Sequence, residues 1–345
     1  MILHLHSSAG RYGADRQLAL IVERSEQPAL VWLPMDGPLV ADLKALGAEV
    51  EIRPLPVLRR AELGPRALPR LLRARRAFSR PSGVSLVHAN TSVILAPADV
   101  VHVREIYPQR AWPLVRATHR RARTIACVSH AVAEQFGGQS HRVRVLHDGL
   151  AFRPERADRT AARKRLDLPA DAFVCAVIGR ITPWKGQALL AEALREVPGA
   201  VGLVAGDVWP GQERHERDLR EIAAPLGDRF RILGFRDDVE TVYGAADVVA
   251  VPSTRPDPLP NAALEAAAAG CCVVASAHGG LPEIVTDGET GRLFSPGDAG
   301  DLARVLSEIT ADPEQGRSLG AAAAQDVAFR FSAERFGAAL RALLA

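Results

Sequence analysis

Val248-Val249-Ala250-Val251-Pro252-Ser253, followed by Asp257-Pro258-Leu259-Pro260-Asn261-Ala262-Ala263-Leu264-Glu265-Ala266, is the stretch on which the fold turns. A short apolar β-branched run stops at a proline, and an alanine-rich helical run begins behind a second set of prolines. That is a buried strand, a turn and a helix start. Other apolar runs, at Phe173–Ile178, Ala200–Val204, Arg229–Ile232 and Cys272–Ala275, alternate with helical patterns on either side of it. Such alternation predicts a parallel sheet covered by helices.

The first half repeats the pattern. Strands are expected at Ile2–His6, Ala29–Leu33, Glu49–Arg53, Ser85–His88, Val100–Val103, Thr124–Val128 and Arg144–Leu146. Between the halves, Ala151 to Arg159 has arginines and a proline but no apolar periodicity, and reads as a linker. The predicted organisation is a domain over 1–150, a linker over 151–159, a second domain over 160–328 and a terminal helix within 329–345. That helix, Ser332 to Ala345, carries Phe336, Leu340, Leu343 and Leu344 on one face, and it is expected to pack back toward the first domain. In total, 345 residues suit two domains.

Bulk properties exclude several classes. Hydrophobic residues make up 48% and charged residues 24%, an ordinary globular balance. The start, Met1 to His6, lacks a basic segment leading into a long apolar run, and no apolar stretch reaches membrane-spanning length. A cytoplasmic location is expected. Cys127, Cys175, Cys271 and Cys272 have no metal-ligand or redox spacing and read as reduced, buried thiols. The net charge of +3 conceals an asymmetry. Residues 1–150 hold 21 Lys plus Arg against 12 Asp plus Glu, whereas the remainder holds 22 against 28.

In open parallel sheets, ligands collect beyond the carboxyl ends of the strands, where strand order reverses. Two such sheets facing each other make a cleft suited to a ligand. Three segments sit at expected strand ends. In the first, the helix opening near Asn261 offers unpaired N–H groups to a diphosphate, with Leu259, Pro260, Asn261 and Ala262 forming the turn. Asn261 and Glu265 share a helix face, so Glu265 can accept from a ribose diol while Asp257 accepts from sugar hydroxyls. The plainer alternative has Asp257 capping the helix and Glu265 complementing its dipole. In the second, Gly179-Arg180-Ile181-Thr182-Pro183-Trp184-Lys185-Gly186, Arg180 and Lys185 are placed to neutralise a pyrophosphate. The alternative is two solvated surface cations. In the third, Ser7 to Arg16, Gly10, Arg11, Tyr12 and Gly13 form a loop entering a helix, which lets backbone approach a ligand. The chain has no G-x-G-x-x-G, which disfavours a nicotinamide oxidoreductase.

Together with Val145 to Gly149, Gly206-Asp207, Leu233 to Val239, Gly270 to Ala275, Gly279 to Val285, Asp287-Gly288 and Gly291, these segments resemble the retaining glycosyltransferases of family 4. The resemblance covers nearly the whole chain. It implies the α/β fold called GT-B, two Rossmann-like doubly wound domains facing across a cleft, with acceptor on the first and nucleotide sugar on the second. It implies that Glu265, the second acidic residue of an E-x7-E motif, binds ribose, and that Asp257 contacts the transferred sugar with one methylene less reach than the usual Glu. Arg180 and Lys185 match the phosphate-binding pair. Gly234, Phe235 and Arg236 match the loop against which the base rests. Gly13 matches the second glycine of the first-domain loop, with Tyr12 at the first. The resemblance places the reacting-centre His of the acceptor domain at Arg104, beside Glu105, with His102 two residues earlier on the same strand face. A satisfied strand histidine is the alternative for His102.

The function this implies is transfer of a sugar from a UDP- or GDP-linked donor to an acceptor hydroxyl, in surface-glycan, glycolipid or natural-product biosynthesis, with closure about the linker excluding water. No Asp-x-Asp triplet occurs, and the expectation is a metal-independent reaction with no cofactor. From Arg59 to Arg80, eight arginines face one acidic residue, Glu62, among leucines. That pattern suits peripheral contact with an anionic membrane or an acidic acceptor, or a solvated helix. Nucleic acid is not expected, since no recognised binding module accompanies the charge. Two rival functions are a sugar-nucleotide epimerase of the same fold and a catalytically inactive nucleotide-sugar-binding protein.

Overall fold

The computed structural model describes residues 1–57, 69, 73, 75–76, 78–91, 96–108, 112, 115, 119–120, 122–137, 141–151 and 154–345. Most of Arg59 to Arg80 lies outside the described residues, and the arginine-rich helix expected there is not described. Among the described residues, no helix is long and apolar enough to cross a membrane.

The chain divides into two compact units, Met1–Ala151 with Phe331–Ala345, and Phe152–Arg330. In the first unit, seven strands form one sheet: β1 (Ile2–Leu5), β2 (Ala29–Leu33), β3 (Glu49–Ile52), β4 (Leu86–Ala89), β5 (Val100–Val103), β6 (Thr124–Cys127) and β7 (Val143–Val145). They run in the order β3-β2-β1-β4-β5-β6-β7, and every pairing is parallel. In the second unit, β8 (Val174–Ile178), β9 (Val201–Ala205), β10 (Phe230–Gly234), β11 (Val248–Val251), β12 (Cys272–Ser276) and β13 (Arg292–Phe294) form a parallel sheet in the order β10-β9-β8-β11-β12-β13. Strand order therefore reverses between β1 and β4 in one sheet and between β8 and β11 in the other.

Among the described residues, helices of the first unit include α1 (Gly13–Ser25), α2 (Pro38–Ala45) and α3 (His130–Glu134). Those of the second are α4 (Arg159–Arg165), α5 (Gln187–Ala193), α6 (Arg214–Ala223), α7 (Val239–Ala245), α8 (Asn261–Ala268), α9 (Ala299–Ala311) and α10 (Pro313–Arg330). The central strands are buried on both faces, as the apolar runs of a helix-covered parallel sheet require. In the second unit Val177, Val204, Val248 and Val274 pack with Leu190 of α5 and Leu306 of α9.

The terminal helix is α11 (Ala333–Leu344), capped by Ser332, whose Oγ accepts from the Arg335 N–H at 3.2 Å. Phe336, Leu340 and Leu344 are buried against Ile2, Leu20, Ile21, Leu86 and Val100, with Leu343 packed at the margin of that cluster. The stretch read as a linker is not loose along its length. The Arg156 guanidinium donates to the carbonyls of Tyr243, Ala246 and Gly270, and the Ala157 N–H donates to the Glu240 carbonyl, binding residues 156–159 into the second unit. The sequence reading did not find β13. Three residues beginning with Arg292, at the sheet edge, carry too little apolar pattern to be seen.

Candidate functional site in the second unit

Two turns meet where strand order reverses in the second sheet. The loop after β8 ends at Gly186, the residue before α5, with φ of 80°. A Cβ there would lie 1.7 Å from the Pro252 carbonyl oxygen, so only glycine lets this loop lie on the turn after β11. A backbone bond, Thr254 N–H to the Trp184 carbonyl at 2.8 Å, fixes the contact. From the other side, Gly279 and Gly280 press on the same turn. Cβ atoms there would lie 2.3 Å from the Asp257 and 2.1 Å from the Pro258 carbonyl oxygens, and the Gly280 N–H donates to the Asp257 carbonyl.

Asp257 does not cap the helix. Its carboxylate lies 2.6 Å from Lys185 Nζ and 3.4 Å from Ser253 Oγ, with its side chain 7% and that of Lys185 26% exposed. Helix α8 begins after Pro260 without a side-chain cap, and an amide end of that kind suits an anion. Arg180 is no solvated cation either: its side chain is 12% exposed, its NH1 lies 3.4 Å from Asp207 Oδ1 and its guanidinium stacks 3.6 Å from the Trp209 ring centroid. Asn261 and Glu265 are both half-buried on α8, and Leu259 and Pro260 are buried beneath the turn. The structure thus brings Lys185, Asp257 and the turn into α8 together. At the end of β10, Phe235 is 60% exposed, whereas Arg236 is tied to Asp238 by two 2.7 Å hydrogen bonds. Those bonds hold the Asp238 carboxyl down to about 2.

The first unit has its own junction. Asp15, at the start of α1, gathers the loop after β1: Oδ1 lies 2.8 Å from His6 Nε2 and 2.5 Å from Ser8 Oγ, and Oδ2 accepts from the Tyr12 N–H at 3.0 Å. Burial opposes the Asp15 charge, yet the bonds from His6, Ser8 and Tyr12 hold its carboxyl below the ordinary value. With the His6 proton on Nε2 facing Asp15, Nδ1 accepts from Asn90 Nδ2 at 3.2 Å. Gly10 and Gly13 frame this loop, Tyr12 is 43% exposed, and Arg11 pairs with Asp42 at the surface at 2.9 Å.

Arg104 follows β5 and binds Asp148 through one guanidinium nitrogen, 2.6 and 2.5 Å from the two carboxylate oxygens, with both side chains less than a tenth exposed. Glu105 accepts from Thr91 Oγ1 at 2.7 Å and from the Arg104 N–H at 3.2 Å. His102 has no exposed surface; burial and the Arg104 charge push its pKa well below the ordinary value, so it is a neutral imidazole at pH 7. It belongs to a buried set with His88, at 5.8 Å between centroids, and His4, whose Nδ1 lies 3.0 Å from His88 Nδ1. Sequence reasoning gave no role to Asp15, Asp148 or Trp209. Asp148 stood in a quoted motif, but its partner is 44 residues away.

A cavity of about 350 Å³ opens at the amino ends of the second sheet, beside Phe173, Asp247 and Cys272. Its Arg156 is bound to carbonyls and its Arg159 to Asp247 at 2.5 Å, so it is braced by internal pairs and lies at the wrong strand ends for the site above.

Two parallel doubly wound sheets with anion-compensating groups at a switch point define the chain as a GT-B protein, and solved structures agree. Anabaena Alr3699/HepE in complex with UDP and glucose is 26% identical with a TM-score of 0.83, covering 99% of this chain and 98% of that one. Sucrose-phosphate synthase from Thermosynechococcus elongatus shares the fold at 23% identity and a TM-score of 0.77, covering 99% and 97%. Residues 158–326 match the family model for glycosyl transferases group 1, and the second unit belongs to that family. The D-inositol 3-phosphate glycosyltransferase of Mycobacterium tuberculosis is 38% identical over 207 residues, 57% of this chain and 42% of that protein. The chain thus matches less than half the length of that curated relative.

Proposed function

We propose that the protein is a retaining glycosyltransferase that moves a sugar from a nucleoside diphosphate sugar to an acceptor hydroxyl. The observation that carries this reading is the junction of Lys185, Asp257 and the uncapped start of α8 at the switch point of the second sheet. As the glycosidic bond breaks, negative charge grows on the departing diphosphate. Fixed cations and backbone N–H groups stabilise such charge without reorganising. Arg180 and Lys185 supply the cations and α8 the amides, Glu265 takes the ribose hydroxyls, and Gly234 to Arg236 support the base. Once the donor draws Lys185 to its phosphates, the Asp257 carboxylate is available to the sugar hydroxyls. The diphosphate complement lies in these groups, which supports a metal-independent reaction. UDP is the first donor to test, because Anabaena Alr3699/HepE was solved with UDP and with UDP-glucose. In the first unit, the Gly10–Gly13 loop and the Arg104–Glu105 turn stand at the matching strand ends and are assigned to the acceptor. A surface glycan, a glycolipid or a natural product with a free hydroxyl fits that role, and retention follows from same-face displacement in which the leaving phosphate helps deprotonate the acceptor.

The test is a panel of UDP- and GDP-sugars incubated with the full chain, with and without chelator and candidate acceptors, products being resolved by mass and anomeric configuration. Release of nucleoside diphosphate with transfer or hydrolysis, lost in Glu265→Ala, supports the reading. An isomerised sugar nucleotide formed without acceptor indicates an epimerase instead, binding without turnover an inactive module, and activity lost in chelator and restored by Mg²⁺ overturns metal independence.

A further inference from the structure

Trp209 is a large apolar side chain left 47% exposed, and its place is determined by backbone bonds between adjacent strand ends. The Gly179 N–H donates to the Ala205 carbonyl at 2.9 Å and the Ile181 N–H to the Asp207 carbonyl at 2.8 Å, zipping the loop after β9 to the loop after β8. The Trp209 ring is thereby laid over the Arg180 guanidinium at 3.6 Å, with the arginine side chain only 12% exposed beneath it. Gln187 Nε2 donates to the Arg180 carbonyl at 2.9 Å, so main chain and side chain of this arginine are held separately. A half-exposed indole adds little as a core residue; what it does here is cover one face of a cation. Stacking leaves the in-plane N–H donors of a guanidinium pointing outward at its rim, the direction from which it grips phosphate oxygens.

We propose that Trp209 is a positioning residue for nucleoside diphosphate binding: it holds Arg180 by stacking so that the guanidinium rim faces the diphosphate. The inference rests on the donor-site reading above. It assigns a role to a residue that carries no charge and lies outside every motif read from the sequence.

Titration calorimetry of the full chain with UDP, GDP and UMP tests it, in wild type, Trp209→Ala, Trp209→Phe, Arg180→Ala and the double variant of Trp209→Ala with Arg180→Ala. Trp209→Ala is expected to weaken diphosphate binding about three- to tenfold, with a smaller loss for UMP, and Trp209→Phe to recover most of it. The double variant is expected to bind no more weakly than Arg180→Ala alone. In turnover assays kcat is expected to fall along with a rise in KM, because the same arginine meets the leaving group. Melting temperatures measured alongside separate this from a packing defect, which would weaken UMP and UDP alike and persist in the Arg180→Ala background. Wild-type diphosphate binding that Trp209→Ala leaves unchanged, or losses that add in the double variant, overturns this proposal alone. Absence of UDP and GDP binding in wild type overturns the donor reading and this proposal with it.

Discussion

The two switch points of this chain hold their polar groups in opposite ways. At the carboxyl ends of β8 and β11, cations stand half-sheltered beside an uncapped helix, and Lys185 and Asp257 balance each other's charge. At the ends of β1 and β4, the polar groups are committed to one another, Asp15 to His6, Ser8 and Tyr12 and Asn90 to His6, and beyond β5 Arg104 is likewise committed to Asp148. The first arrangement suits an anion. The second has its charges already balanced by internal partners. On the proposed function, a donor has a legible complement in the second unit, whereas nothing comparable marks an acceptor in the first.

The contrast can be broken deliberately. Asp148→Ala leaves the nearly buried Arg104 charge without its carboxylate, and calorimetry or denaturant unfolding is expected to show a loss of about 3–5 kcal/mol in the first unit. Lys185→Ala removes a group assigned to the ligand. The expected result is a fall in kcat of about 10²–10³, together with a lowered melting temperature because the nearly buried Asp257 carboxylate loses its cation, and an intact rate refutes the charge argument.

Acid sharpens the difference further. Every buried histidine among the described residues lies in the first unit. Burial lowers His4 and His119 to about 4 and, with nearby positive charge, His88 and His102 well below the ordinary value. A histidine held neutral in the folded state takes up its proton on unfolding. Stability is thus full above the unfolded value near 6.5 and declines as pH falls toward the folded value. The expected slope is about 1.4 kcal/mol per pH unit for each such histidine. In a pH series of melting curves, the first unit should become labile before the second. At the small end, Arg11→Ala removes an exposed pair with Asp42 and should shift stability by about 0–1 kcal/mol. A larger shift would mean that the Gly10–Gly13 loop depends on that pair.

Of the thirteen strands among the described residues twelve were readable, the central ones because strands buried on both faces demand uninterrupted apolar runs, as in Val248–Val251. The edge strand Arg292–Phe294 escaped because one strand neighbour imposes little pattern. At the candidate site, Arg180, Lys185, Asp257 and Glu265 stood out in the sequence because they lie in or just beyond short strand-to-helix turns, where a parallel sheet collects ligands. Asp148, Asp15 and Trp209 did not, because their roles exist only through partners that the fold supplies: Asp148 meets Arg104 across 44 residues, and Trp209 meets Arg180 only because β8 and β9 are neighbours. His102 shows the converse. Its position in the sequence suggested chemistry, and its burial makes it part of the sheet interior.

Helix α11 has one more consequence, for the order in which the chain becomes whole. Its Phe336, Leu340 and Leu344 complete a cluster begun by Ile2, Leu20 and Ile21, residues made more than three hundred positions earlier. During synthesis the first unit emerges first yet lacks part of its interior until Phe336 to Leu344 have left the ribosome, while the contiguous second unit can close beforehand. Truncation before Phe336 would therefore expose an apolar face on the first-made part of the molecule, and proteolysis of such a chain should begin there.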